Sequence, residues 1–538
     1  MSLLGTIKNA VYKGGELLGM NTGLDNIIDD PRIALSADEV SRIREDKRYY
    51  QNDLTPYKWR NSYGNIVDVP VQSSNVVATA SKNLASLIFN EGCTIKILND
   101  SDANDVLQET LEANNFNENF ERQLQRWIAL GTGVCRPVVQ NNQIKINFAS
   151  ADQVYPLEAN SNDVNEVAIA FRSTQIENQQ TIYYTLLEFH QWTAKGYQIS
   201  NELYRSDDQS TVGTQVPLAT LDKYANLTPK TDFTGSPIQL FAFYRNPGDN
   251  NINLGSSMGL SMIDNCKTTI NSLNRAYTEL YWEMKQGQRR IIVPESFLGK
   301  ENLHDMLLTQ QNRFNQHPKM YDPDTMVYQV GYGLEDDTIK DVTSDIRVDE
   351  FNQLIQLYLS TFENQTGFSQ GTFTATPSGI QTATEVVTNN SKTYQTRSSY
   401  VTQVKKMLNQ LVKAILAEAS TAELFDNGQT LWNGNLKLDD LDIAIDLNDG
   451  VFINKEQQRQ DDLQVVSAGI MPKVQFLMRN YDLDQATAEQ WIEEADEENA
   501  PTPSFDNIPM NYADSGDDSE QSTDQEENTD TGADAETS

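Results

Sequence analysis

The chain has 538 residues, 38% hydrophobic and 22% charged, enough to build real cores in about three or four domains. Its net charge is −36, from 41 Lys and Arg against 77 Asp and Glu, which argues against a protein that grips nucleic acid by neutralising phosphates. Three scattered cysteines (Cys93, Cys135, Cys266) and three isolated histidines (His190, His304, His317) exclude a disulfide framework and a structural zinc cluster. No apolar run approaches the ~20 residues of a membrane helix. Residues 1–13 lack an apolar stretch followed by a small-residue cleavage site, so no secretory signal is expected. The expectation is a large, soluble, multidomain protein made in the cytosol.

The acid excess is uneven. After Arg479 there is no basic residue, and residues 480–538 hold 19 acids. From about residue 500 large apolar side chains nearly vanish, so the segment 499–538 cannot offset its ordering entropy and is predicted to be disordered. Such a tail either solubilises the protein or recruits a basic partner.

The first helix is predicted to start at Ser36, with Ser36 as N-cap and Glu39 completing a capping box. A second is expected over 73–90, on the spacing of Val76, Val77, Ala80, Leu84, Leu87 and Ile88, and a third over 103–130. Short alternating runs punctuated by Pro, Asn and Gly then predict a β-rich region over 134–245. Over 258–285, apolar positions recur at steps of 3 and 4 from Met262 to Met284, which predicts a helix with one stripe, and Phe351 to Phe362 mark a second. These two helices flank about 55 residues of mixed short elements, a hairpin-like stalk with a small distal module.

A neutral loop rich in Gly, Thr and Ser follows, TGFSQGTFTATPSG. It leads into the longest periodic element, over 380–419, whose stripe runs Ile380, Ala383, Val387, Asn390, Tyr394, Arg397, Val401, Val404, Leu408, Leu411 and Ile415. About 40 helical residues span roughly 60 Å, which favours a helix packed in an assembly. Lys392, Lys406 and Lys413 share one side of it. This basic stripe is expected to meet carboxylates of another segment or subunit, with nucleic acid as the alternative. A short strand region over 436–447 and helices over 455–468 and 473–498 close the ordered part.

Enzyme chemistry is not expected. Gly131-Thr132-Gly133 and Gly331-Tyr332-Gly333 lack the Lys-Ser/Thr or third glycine of a phosphate loop, and read as turns. The Asp446 to Gly450 stretch misses calcium-loop spacing and its distal Glu. No nucleophile elbow or His-Glu-x-x-His pair occurs, each histidine stands alone, and His190 reads as structural. No catalytic residue, metal or cofactor is assigned.

Three phrases carry a family resemblance: ALGTGVCRPVV through ADQVYPL over 129–157, SGIQTATEVVTNNSKTYQTR over 378–397, and NKEQQRQDDLQVVSAGIMPK over 454–473. In that order the sequence resembles the portal proteins, also called minor capsid proteins, of tailed bacteriophages, in particular the long-tailed phages of Gram-positive bacteria. The resemblance spans roughly 35–498 and leaves the acidic tail outside. It implies an α+β, predominantly helical, portal-type subunit. Residues 1–257 would form a wing, 258–286 and 344–364 a two-helix stem, and 287–343 a small α/β clip. A tunnel loop would cover 365–379, the long wing helix and its return 380–452, and a helical crown 453–498.

The resemblance also implies a structural protein of the virion. A ring, usually of twelve subunits, would occupy one capsid vertex after assembly in the host cytoplasm. Double-stranded DNA would pass through it during packaging and ejection. Its partners would be itself, the terminase large subunit, the head–tail adaptor, and the major capsid and scaffold proteins, with no membrane. The residues expected to face DNA are Gln370, Thr372, Phe373, Thr374 and Thr376, and the clip candidates for motor or adaptor docking are Arg289, Arg290 and Tyr332. A net-acidic, weakly binding bore suits a conduit, because it repels phosphates instead of holding them. The alternative is an acidic phage-tail or surface binding protein without a DNA channel. The long helix and helical C-terminus speak against that reading.

Overall fold

The structure, a computed structural model, describes residues 23–60, 64–90, 92–157, 163–233, 238–287, 289, 291–294, 328–331, 340–375, 391–434, 436–447, 455–481 and 483–498. The chain divides into two compact units, Met1–Phe452 and Ile453–Ser538. The architecture is mixed α+β.

In the first unit, helices α1 (Ala37–Tyr50), α2 (Val76–Ile88), α3 (Ser101–Ala113) and α4 (Phe116–Leu130) precede the main sheets. Ser36 caps α1, accepting the Glu39 N–H at 3.3 Å. The Glu39 side chain does not close the capping box on Ser36. It turns inward to Arg42 and Asn250. The third predicted helix is two, α3 and α4, because Asn115 adopts a left-handed φ of 45° between them. Asparagine tolerates that region, and the neighbouring Asn114 rewards the break. Its amide donates to the carbonyls of Thr110 and Ile144 and accepts the Ile146 N–H, tying the corner to the sheet.

The predicted β-rich region forms antiparallel sheets. Among the described residues, one has seven strands, centred on Val167–Glu177, Gln180–Thr193 and Gly196–Ser206. A second pairs Thr132–Gln140 with Gln143–Ser150 and Ala242–Arg245. Two-residue turns at Asn141-Asn142 and Asn178-Gln179, all with positive φ, set the register of both long hairpins. Gly131 ends α4 with φ +89°, and a Cβ there would strike the Gly259 carbonyl, so Gly131-Thr132-Gly133 is a helix-to-strand corner.

Helices α5 (Lys267–Gln286) and α6 (Val348–Thr366) form the predicted antiparallel pair, with α5 starting at Lys267 after a run of turns instead of at residue 258. Thr269 meets Gln365 at one end and Glu283 meets Arg347 at the other. Of the segment between them, Ile291–Pro294, Tyr328–Gly331 and Lys340–Asp341 make a three-stranded mixed sheet. Helix α7 (Ser391–Ala419) is the described part of the long element, and residues 380–390 lie outside the described residues. Its buried stripe runs Thr393, Arg397, Tyr400, Val404, Leu408, Leu411 and Ile415, while Tyr394, one residue off that line, is 50% exposed. This stripe, α2, α4 and the inner faces of α5 and α6 share the largest core. Phe89, Phe116, Phe120 and Trp127 stack through its centre. The strand Ile443–Asp446 returns to pair with Thr94–Ile97.

The described part of the second unit is three helices, α8 (Lys455–Ser467), α9 (Lys473–Tyr481) and α10 (Gln485–Glu498). Gly469, at φ +72°, breaks α8 from α9 as the Gly-Ile-Met-Pro sequence predicts. The tail 499–538 and the turn Asn448-Asp449-Gly450 lie outside the described residues.

Candidate functional site

Helix α6 carries one charge between Glu350 and its end, Glu363, and the following loop carries none through Ala375. Glu363 is fully buried. A buried carboxylate is costly unless hydrogen-bonded, and here the downstream chain supplies the donors. The N–H groups of Phe373 and Thr374 donate to it at 2.6 and 2.9 Å, and the Thr374 hydroxyl adds a third bond at 3.1–3.2 Å. Gly367 ends α6 in a left-handed conformation, φ +82°. Phe373 then stands edge-on to Phe362 and Phe368, at 5.6 and 5.2 Å between centroids.

The same turn is fastened to α7. Ser369 and Thr393, both buried, exchange backbone and hydroxyl hydrogen bonds at 2.8–3.1 Å. The Thr396 hydroxyl donates to the Gly367 carbonyl at 2.8 Å, and Lys392 Nζ donates to the Asn364 carbonyl at 2.8 Å, a cation at a helix C-terminus. Residues 363–375 are thus a clasp joining α6 to α7.

Of the residues expected to face DNA, Gln370 and Thr372 are exposed on the clasp, Phe373 and Thr374 are half-buried in it, and Thr376 lies outside the described residues. The stripe lysines are each engaged within the chain. Beside the Lys392 bond, Lys406 pairs with Asp163 at 2.7 Å and Lys413 with Asp439 at 2.8 Å. Arg289 is exposed, with its Nε 3.6 Å from Asp341, whereas Arg290 and Tyr332 lie outside the described residues.

Two buried ionic nodes hold the frame and were missed by sequence reasoning. Arg42 reaches Glu39, Asp46 and Asp264 at 2.5–3.3 Å, and Lys267 pairs with the same two aspartates. Burial, then the neighbouring Asp264, pushes the Asp46 carboxyl well above the usual range. This node locks α1 to the start of α5. In the second, Arg136 pairs with Glu188 at 2.5 Å, and Glu188 Oε1 accepts from His190 Nε2 at 2.8 Å, whose other ring nitrogen meets the Tyr197 hydroxyl. Glu418, near the end of α7, lies in the field of Arg136 and Glu188, and burial pushes it up to about 8. Of the node residues the sequence marks only Glu39, as a capping-box acid, and His190, as structural, and it does not show their partners, which stand up to 222 residues apart.

Cys93, Cys135 and Cys266 are buried and form no disulfide, and burial raises the thiols of Cys135 and Cys266, the latter to about 12, so those two are poor nucleophiles. Among the described residues no group of three or more His, Cys, Asp or Glu could hold a metal ion, and no helix is long and apolar enough to cross a membrane. What the arrangement offers chemically is a neutral, hydroxyl- and amide-bearing surface on a rigid support.

The fold is similar to chains in three solved structures. These are the "Virion of native gene transfer agent (GTA) particle", the "Neck of native GTA particle computed with C12 symmetry", and the "Neck of empty GTA particle computed with C6 symmetry". The first two give a TM-score of 0.39 at 11% identity, covering 75% of this chain and 89% of the other. The third gives 0.38 at 10%, covering 75% and 88%. No individually characterised protein matches the chain in sequence. The family model described as "Phage portal protein, SPP1 Gp6-like" matches residues 29–501, and the chain belongs to that family of virion structural proteins.

Proposed function

We propose that this protein forms a ring, of twelve subunits, at one capsid vertex, and that double-stranded DNA is packaged and ejected through its axis. Membership of the portal family over residues 29–501 carries this reading. On it, residues 1–257 act as the wing, α5 and α6 as the stem, 287–343 as the clip and 453–498 as the crown. The clip, with Arg289, Arg290 and Tyr332, receives the terminase large subunit and later the head–tail adaptor. The wing and crown meet the major capsid and scaffold proteins. Assembly occurs in the host cytoplasm, and the ring stays in the virion.

The physical support is the neutrality of residues 364–384 and their attachment to the clasp. Polyanionic DNA sliding past such a surface meets no cation to hold it and no exposed carboxylate to stop it. Gln370, Thr372, Phe373, Thr374 and Thr376 mark the strip nearest the DNA, and Lys392, Lys406 and Lys413 tie the long helix to other segments of the same subunit.

Electron microscopy of the purified protein tests the ring, which is expected as annular particles with an axial hole. A photo-crosslinking residue at Gln370 or Thr372 tests the bore: capture of packaged DNA supports the reading, and rings filled with DNA that never crosslink there overturn the assignment of this strip.

A further inference from the structure

Helix α5 is covered on two opposite sides within one chain. Asn271, Thr278 and Trp282 face the segment before α2. Tyr49 donates to the Asn271 side chain at 2.8 Å, the Gln72 N–H donates to the Thr278 hydroxyl at 3.0 Å, and Trp59 lies 5.6 Å from Trp282. Thr269 and Glu283 instead face α6 and its lead-in, through Gln365 and Arg347 at 2.7 and 2.9 Å. At 100° per residue the two sets point roughly 150° apart. The hairpin of Tyr57–Arg60 and Ile66–Val69, α5 and α6 are therefore three successive layers.

Among the described residues, both outer layers end in uncovered faces of complementary character. In the hairpin, Tyr57 pairs with Val69 and Trp59 with Val67 on the side toward α5, which leaves Lys58, Arg60, Ile66 and Asp68 on the outer side. Ile66 is 62% exposed, and among the described residues neither Lys58 nor Arg60 has an ion pair. In α6, Ile355, Leu359 and Phe362 are buried toward α5. Glu350, Leu354 and Leu357 recur at steps of 4 and 3 on the far side, and Leu357 is 60% exposed. One face is net basic, with Lys58 and Arg60 against Asp68, and carries an isoleucine; the other is acidic with two leucines, and they lie on opposite sides of the same helix. A surface and its complement so placed make a head-to-tail contact, which propagates around a ring.

We infer that the outer face of α6 in one copy of this chain seats on the outer face of the hairpin in the next. Leu354 and Leu357 cover Ile66, and Glu350 meets Arg60 and Lys58. The inference rests on the ring reading above and names the surfaces that build it.

The test places Ile66→Cys and Leu357→Cys in one full-length chain. The three native cysteines are buried, so background crosslinking is low. Mild oxidation is expected to give a ladder of covalent multimers on non-reducing gels, and each single variant is expected to give at most background. Annular wild-type particles with no ladder from the double variant overturn this contact while leaving the ring intact. Absence of rings from the wild type overturns the ring itself.

A charge swap supplies a second readout that does not depend on oxidation. Arg60→Glu is expected to lower the fraction of protein in rings about tenfold at low salt, and Glu350→Arg added to it to restore most of the loss. Independent, additive effects of the two substitutions also overturn the pairing.

Discussion

Glu363 accepts the backbone N–H of Phe373, ten residues on, at 2.6 Å, across a turn whose side chains are otherwise uncharged. That bond decides where helix α6 ends and where the neutral segment leaves it. Because the carboxylate is fully buried, it cannot trade these donors for water.

Glu363→Ala should therefore orphan the N–H groups of Phe373 and Thr374, at a local cost of about 2–4 kcal/mol. Limited proteolysis is expected to cut the variant within 367–375 under conditions that leave the wild type whole, and hydrogen exchange at residues 373 and 374 is expected to accelerate. Glu363→Gln should fall between the two, since both N–H groups donate to Oε1, which an amide oxygen can replace, while its NH2 group takes the place of the oxygen that faces the Thr374 hydroxyl and the charge is lost. Unchanged exchange in the alanine variant would show that the clasp is held by the phenylalanine contacts alone.

Gly367→Ala makes a separate demand on the same clasp. The residue has φ +82°, where a side chain costs about 1 kcal/mol. Its added Cβ would also collide with the Thr396 hydroxyl, which donates to the Gly367 carbonyl. The total is expected to exceed the conformational term alone. Gly367→Ala combined with Thr396→Ser, which leaves the hydroxyl but removes a methyl, should recover little, because the clash is with the oxygen. Thermal unfolding of the wild type and the two variants orders them, with both variants expected to melt well below the wild type and close to each other.

Much of this frame can be read from residue spacing, and the exceptions follow one rule. The stripes of α2, α5 and α6 are local patterns, so the buried faces follow from steps of 3 and 4. The break between α3 and α4 was hidden because Leu111 and Phe116 continue the period across Asn114-Asn115; the left-handed asparagine became clear only with its bonds to a strand 30 residues away. The Arg42 node joins partners 222 residues apart, and no local pattern can signal that. Ser369 lies in the neutral loop and Thr393 off the stripe expected for the long helix, so neither is marked by its local pattern. Their mutual burial depends on how two distant helices approach. Arg397, anomalous in an apolar stripe, is explained by the same logic, since its partners belong to other elements.

Those partners set a third expectation. Arg397 Nε donates to the Leu87 carbonyl at 2.6 Å and its Nη2 to the Leu447 carbonyl at 2.5 Å, so one guanidinium caps the last turn of α2 and fixes the end of the returning strand. A lysine has no planar fork and cannot span both. Arg397→Lys is expected to cost about 1–3 kcal/mol by leaving one buried carbonyl unpaired. Hydrogen exchange should rise at the C-terminal turn of α2 or at residues 443–447, and not at the start of α7. A uniform rise across the unit would mean that Arg397 acts through packing instead.

Glu418 gives a pH dependence whose sign can be worked out. Burial raises its carboxyl from 4.5 to about 8 in the folded state, Arg136 opposes the rise and Glu188 adds to it, and its Oε2 has no hydrogen-bond partner. Between those two values the folded chain holds a proton there that the unfolded chain releases. Stability from this group is therefore fully present below about 4.5, falls by up to ~1.4 kcal/mol per pH unit as pH rises, and reaches its floor above about 8. Glu418→Gln mimics the protonated form at every pH. The variant is expected to unfold at higher denaturant than the wild type at pH 8.5, and the advantage should shrink steadily toward pH 5. Parallel wild-type and variant curves across that range would mean that the wild-type carboxyl is ionised in the folded protein, paired with Arg136.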